Sequence, residues 1–456
     1  MTASREASAA LQGHAADGHN PIRQLIWIYF GLLIFEGAVR KWILPQLSDP
    51  LLIIRDPVVI AIYVVAIARG CYPNLSILGV LYLIAGLSLL VSAAFGVAPF
   101  IVNLYGVRTN VLHLPLMFLM GQVLQERDVT QFGRWFLLLA PPMAVLMALQ
   151  FLAPPDSFLN KATFGEGGQI GAALGRIRPA GLFSYNTGAG QFFALTTAFL
   201  LVGWTRGTYP LWLRVSATGS LVLALAVSGS RTTVLACGIV LATFMMFLLS
   251  RPKDVPKGFI VLLAIGIIGL AVGSTGLFKE GFLTLTTRFE DAHAGGGSML
   301  VRVWNGFSEP FQNATLIGKG LGLGTNVGSK LTTGGTVFLL SEGEWGRVID
   351  ESGIVLGLGF LIWRVFVAGY IGLCALASMR TGAPMPILLF GATAWLMISG
   401  QFGQATSLGF ASFGAGLCLA ACRRDEASIP MPTIAPIPVR PLQRGRSIYA
   451  EHLHGS

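Results

Sequence analysis

The apolar residues of this chain fall in long, nearly unbroken blocks, and that spacing limits what it can fold into more than any other feature. Blocks of roughly 17–22 residues recur, the length that carries a helix across a hydrocarbon core of about 30 Å at about 1.5 Å per residue. A soluble helix would return a polar residue every third or fourth position. Of the 456 residues, 54% are hydrophobic and only 11% charged, against about 25% charged in an ordinary soluble domain. There is too little polar surface to wrap a water-soluble globule. The chain therefore reads as an all-α, polytopic integral membrane protein partnered by the lipid bilayer.

About twelve spans are predicted, over 23–40, 52–69, 75–95, 109–125, 134–153, 187–204, 210–228, 232–250, 258–275, 353–372, 385–401 and 405–422. An even number puts both termini on one side. Lys and Arg flanking the spans favour the side of the N-terminus by twelve to eight, setting aside the long loop. By the positive-inside rule both ends are then cytoplasmic. The expected organisation is a cytoplasmic tail at 1–22 and transmembrane helices 1–9 across 23–275, with an outer loop at 154–186. A large outer loop at 276–352, transmembrane helices 10–12 across 353–422 and a disordered Pro-rich cytoplasmic tail at 423–456 complete it. The first residues lack an apolar signal core, so the first span is expected to act as an uncleaved signal. Apolar and aromatic residues among the glycines of the large loop suit a partly folded cap better than a linker.

Several classes are excluded. The net charge is +10, but its Lys and Arg are scattered singly between apolar blocks, with no basic run interleaved with aromatics, so nucleic acid is not an expected partner. Cys71, Cys237, Cys374, Cys418 and Cys422 lie in spans or at their ends; neither a disulfide framework nor a zinc-ligand spacing is present, and no metal is expected. The IGKGLGLGTN segment at 317–326 lacks the strand and the Lys-Ser/Thr of a phosphate-binding loop, so its glycines read as turn-formers and no cofactor is implied.

Chemistry concentrates on the outer side. Arg176 and Arg178 lie in GRIRPAGLFSYN, Arg231 in SGSRTT, and Arg288, Arg302 and Arg347 in the long loop. A guanidinium stays charged and presents a planar fork of donors matched to phosphate or carboxylate oxygens. Converging, these residues would hold a lipid-linked diphosphate; dispersed, they would snorkel to headgroups. Arg178 and Arg231 lead, because each sits in a short polar motif between apolar blocks. Glu342, Glu344, Asp350 and Glu351 crowd the segment before the tenth span. They could supply a general base or neutralise Arg347, since in a helix Glu344–Arg347 and Arg347–Glu351 are spaced i,i+3 and i,i+4. In FEGAVRKW, Glu36 and Arg40 are expected to pair. His113 and His293 are isolated and read as hydrogen-bonded structural residues.

The order of these elements resembles the O-antigen ligase and polymerase family of bacterial envelope glycan assembly. The matching pieces are Ser228-Gly229-Ser230-Arg231, the RPAGLFSYN stretch with Arg178 and Asn186, the LIGKGLGLG turn, and Glu351-Ser352-Gly353, together covering roughly residues 170–375. The resemblance implies a GT-C-like, multi-pass protein of the cell inner membrane with a periplasmic loop between spans 9 and 10. It implies a metal-independent glycosyl transfer from a polyprenyl-diphosphate-linked oligosaccharide. Outer arginines (Arg178, Arg231, Arg302, Arg176 and Arg288) would hold the diphosphate, and Glu342 or Glu344 would act as the base. Chain-length regulator and flippase proteins would be its partners. Ligases carry His-Asn nine residues before the glutamate of the ExG motif, where this chain has Glu342-Gly343. That departure favours a polymerase of exopolysaccharide or O-antigen repeat units over a ligase acting on a lipid acceptor. A transporter is the non-enzyme alternative, but charged residues inside spans are few, Arg364 and Glu36 being the main ones.

Overall fold

The structure, a computed structural model, describes residues 20–163, 170–294, 299–312, 314–334, 340–341 and 343–423; at 291–294, 299–300 and 302–303 it describes the backbone alone. Of the tail predicted at 423–456, all but Arg423 lies outside the described residues. Among those described, the regular elements are all helices, joined by loops, with an isolated β-bridge between Gly171 and Ile177. The α-helices are α1 Asn20–Ala38, α2 Arg55–Ala68, α3 Ser76–Phe95, α4 Phe100–Val107, α5 Leu114–Val123, α6 Glu126–Leu152, α7 Asn186–Arg206 and α8 Leu211–Val227. They continue as α9 Arg231–Ser250, α10 Val255–Gly273, α11 Gly276–Ala294, α12 Met299–Gln312, α13 Asn326–Thr333, α14 Glu344–Met379, α15 Met385–Ser399 and α16 Ala405–Cys422.

Every predicted span falls on helix. Nine helical stretches among the described residues are long and apolar enough to cross a membrane, and α8 and α15 are apolar but shorter. The block predicted at 109–125 is divided: α4 runs through a π-helical turn at Arg108–Leu112 into α5. Pro115 sits at the start of α5 and has no N–H to continue the α-helical ladder. The wider turn brings Thr109 and Asn110 inward together. A second π-turn, Val39–Ile43, buries the adjacent Arg40 and Lys41 in the same way. The large loop at 276–352 contributes α11, α12 and α13.

In a bilayer, helices gain little from hydrophobic transfer to one another, so close packing and polar contacts hold them together. An aromatic seam runs through α1, α6, α7 and α16: Phe132 stacks on Trp27 at 3.8 Å, Phe30 on Phe413 at 5.4 Å, and Phe136 on Phe199 at 5.6 Å. Glycines let α16 approach its neighbours; a Cβ at Gly416 would lie 2.8 Å from Met120, and one at Gly409 would lie 1.9 Å from the Arg55 guanidinium. Several buried charges are paired with acids, which offsets their desolvation, while the buried Lys41 donates to the Gly181 carbonyl. Glu36 meets Arg40 at 3.4 Å as expected, and also Arg55 at 2.9 Å. Asp56 accepts two hydrogen bonds from Arg108, at 2.6 and 2.7 Å, and lies 3.0 Å from His113. His113 also meets the Tyr29 hydroxyl, so it is a hydrogen-bonded structural residue.

The tenth span begins at Gly353 as predicted, and a separate helical leg precedes it across a break. Helix α14 begins at Glu344 and breaks at Gly353, whose φ of 77° and ψ of 168° only glycine adopts readily. On a straight helix Glu344 and Arg364 would stand about 30 Å apart; instead Arg364 Nη1 donates to Glu344 at 2.6 Å. The two legs fold back on each other, and a Cβ at Gly357 on the second would lie 2.9 Å from the Val348 carbonyl on the first. The LIGKGLGLG stretch docks on the break. Lys319 and Gly320 donate to the Asp350 and Glu351 carbonyls, and Ile354 donates to Thr315. A Cβ at Gly318 would meet the Glu351 carbonyl oxygen at 2.1 Å, and one at Gly353 the Leu316 oxygen at 2.2 Å. Gly353→Ala is therefore expected to lose about 1–3 kcal/mol from backbone strain alone, read as a lower thermal midpoint of the purified protein in detergent. A wild-type midpoint would contradict the folded-back arrangement.

Candidate functional site

The loop between α6 and α7 carries two of the predicted arginines on a tight reversal. Leu174 and Gly175 both have positive φ, 56° and 69°, the geometry of a two-residue hairpin turn. Ala172 N–H donates to the Arg176 carbonyl and Arg178 N–H to the Ile170 carbonyl. Ile177 is buried, so the side chains on either side of it face the other way. Gln150 of α6 clamps the base of this loop: it accepts from Gly181 N–H at 2.8 Å and donates to the carbonyls of Leu159 and Gly181.

The SGSR motif forms the corner between α8 and α9. Ser228 ends α8, Gly229 turns at φ 53°, and Ser230 N–H donates to the Ser228 hydroxyl. Arg231 is then the first residue of α9, whose N-terminus has no side-chain cap. A cation at the positive end of a helix is electrostatically unfavourable, whereas an anion there meets free N–H groups and the helix dipole.

Three arginines converge here. Arg178 Nε and Arg288 Nη1, the latter from α11, donate to the same Gly171 carbonyl at 3.0 and 3.3 Å. A Cβ at Gly229, two residues before Arg231, would lie 3.8 Å from Cγ of Arg178. The Arg178 guanidinium is held below the ordinary arginine pKa, first by partial desolvation and then by repulsion from Arg288 and Arg231. No carboxylate among the described residues pairs with Arg178 or Arg231. Helix α11 is fixed against this corner through Gly281, where a Cβ would lie 2.9 Å from the Ala226 backbone. Directly beside Arg231 opens a cleft of about 310 Å³ between α7, α9 and α15, lined by Thr232 and Thr233 among others. Like charges, an open helix N-terminus and an adjoining cleft make a site suited to a multiply charged anion.

The remaining predicted residues go elsewhere or are not described. Arg176 does not join the cluster but forms an ion pair with Glu280 of α11, bonding also to the Phe151 carbonyl. Arg302 lies in α12, but its side chain is outside the described residues, as are the side chain of His293 and the whole of Glu342. Glu344 is buried, with Oε1 accepting from Arg347 and Arg364 and Oε2 from Arg347. Both predicted helical pairs form, since Arg347 also donates to Glu351 at 2.8 Å. The second Glu351 oxygen accepts from Gly324 N–H. Arg364 completes this hub: it donates to the carbonyls of Leu396, Met397 and Gly400, closing the C-terminus of α15.

The cleft-lining polar residues were not singled out from the sequence. Thr187 and Gln191 stand four apart at the start of α7, and Thr232 and Thr233 follow Arg231; polar residues repeating at helical spacing on an apolar span were the available signal. No family model, curated protein or solved structure matches the chain.

Proposed function

We propose that the protein is an outer-leaflet glycosyltransferase of the bacterial inner membrane that joins polyprenyl-diphosphate-linked repeat units into a polysaccharide. The convergence of Arg178, Arg231 and Arg288 beside a cleft carries this reading. Glycosyl transfer from a diphosphate develops negative charge on the leaving group, and fixed guanidiniums plus an open helix N-terminus would stabilise that charge without reorganising. In this reading the arginines lie on the non-cytoplasmic side, α11 and α12 belong to the periplasmic loop, and twelve spans carry the site. An acid whose oxygens are taken by guanidiniums is a weak base, so Glu344 would serve the structure and Glu342 remains the candidate for the acceptor hydroxyl.

The transporter alternative has one observation in its favour, the broken helix α14 with Arg364 buried inside it. That arginine is engaged by Glu344 and three carbonyls, a closed arrangement that offers no obvious free ligand site. Deleting the gene separates the readings. Loss of a polymerase is expected to leave single repeat units on the lipid carrier at the outer face. Finished polymer on the carrier would identify a ligase, and carrier-linked units retained on the inner face would identify a transporter.

A further inference from the structure

Resting on the diphosphate reading of the arginine cluster, we propose that the adjoining cleft binds an uncharged sugar ring, the one bonded to the diphosphate. The cleft has a volume of about 310 Å³, at the lower end of the range for small-molecule sites. Its wall includes seven neutral hydrogen-bonding side chains: Thr187, Gln191, Thr232, Thr233, Ser399, Gln401 and Ser407. Trp395 also lines it, with its indole partly exposed, and the remainder is glycine and aliphatic. No Asp, Glu, Lys or Arg lines it. Gln191 donates to the Ser407 hydroxyl at 3.1 Å, while its Oε1 is buried with no hydrogen-bond partner. That acceptor calls for an O–H or N–H donor.

Two other occupants fit less well. A hydrocarbon chain would cover the buried Gln191 Oε1 without satisfying it, and a buried group left unpaired costs about 1–3 kcal/mol. A sugar acid would bring a carboxylate into a wall without a cation, since Arg231 is committed to the diphosphate in this reading and Arg364, behind the wall, is taken by Glu344 and backbone carbonyls. A neutral ring offers hydroxyls to the amides and hydroxyls, and a C–H face to Trp395. The wall is rigidly held: Arg364 fixes the carbonyls of Leu396, Met397 and Gly400, and Phe307 of α12 packs edge-on against Trp395 at 6.2 Å.

The test uses the full-length protein in lipid nanodiscs and three probes: dodecyl diphosphate, dodecyl diphosphoryl hexose and dodecyl diphosphoryl hexuronate. The hexose probe is expected to bind about tenfold tighter than the bare diphosphate, the equivalent of roughly one well-made hydrogen bond. The hexuronate should gain nothing. Gln191→Leu should remove the hexose increment, and Trp395→Leu, at a partly exposed ring, should reduce it independently. If bare dodecyl diphosphate fails to bind, the arginine reading falls and this inference falls with it. If it binds, but the hexose adds nothing or the hexuronate gains as much, the neutral-sugar site is overturned while the diphosphate site stands.

Discussion

Under the proposed function, Arg231→Ala and Arg178→Ala are each expected to abolish polymer formation while the protein accumulates in the membrane at its normal level. Removing one preorganised donor to a developing anion typically lowers turnover about 10²–10³-fold, and a polymer built by repeated transfer falls below detection with such a loss. Stability should move little or rise, because Arg231 and Arg288 each repel Arg178 and losing the Arg178 or Arg231 charge relieves that repulsion. Sites shaped for function commonly sacrifice stability in this way. Arg231→Lys should recover only part of the activity, since a point charge replaces a bidentate fork. Arg176→Ala is the internal control: its ion pair with Glu280 is partly exposed, worth about 0–1 kcal/mol, and its loss should leave most polymer intact. Polymer of normal length and amount in both Arg178→Ala and Arg231→Ala would remove the main support for the enzyme.

Glu344→Gln produces the largest loss of stability expected anywhere in the chain. Its carboxylate neutralises Arg347 and Arg364, both buried, and breaking a buried pair from one side costs about 3–5 kcal/mol. The midpoint of thermal unfolding in detergent should drop sharply. Glu344→Gln combined with Arg364→Met should recover part of it, because the uncompensated charge is removed and coupled sites are non-additive. The same variant tests the other role predicted for Glu344. A general base replaced by Gln would stop transfer with an unchanged midpoint; a structural anion would lower the midpoint first.

The apolar blocks were legible because bilayer thickness imposes a length on every span, and a length is a one-dimensional property. The Glu344–Arg347 and Arg347–Glu351 pairs were legible for a related reason: helical periodicity makes i,i+3 and i,i+4 residues neighbours whatever surrounds them. Glu36–Arg40 follows the same rule. Arg364 was not legible. Its acid partner stands twenty residues away, within reach only because Gly353 turns the chain back.

Among the arginines the same division holds. Their residue type and their place between apolar blocks could be read from the chain, but Arg176 and Arg178, two residues apart in one motif, part company. Arg176 joins Glu280 and Arg178 joins Arg231 and Arg288. Sequence alone determined that this is a helical chain suited to a membrane, with basic residues gathered on its polar loops. Only the tertiary structure decided which of those residues share a site, because the contacts of Arg178 run to a helix corner and to α11, more than fifty and more than one hundred residues further on. Such contacts depend on how the helices pack and on where glycines let the backbone turn, and no local period encodes either.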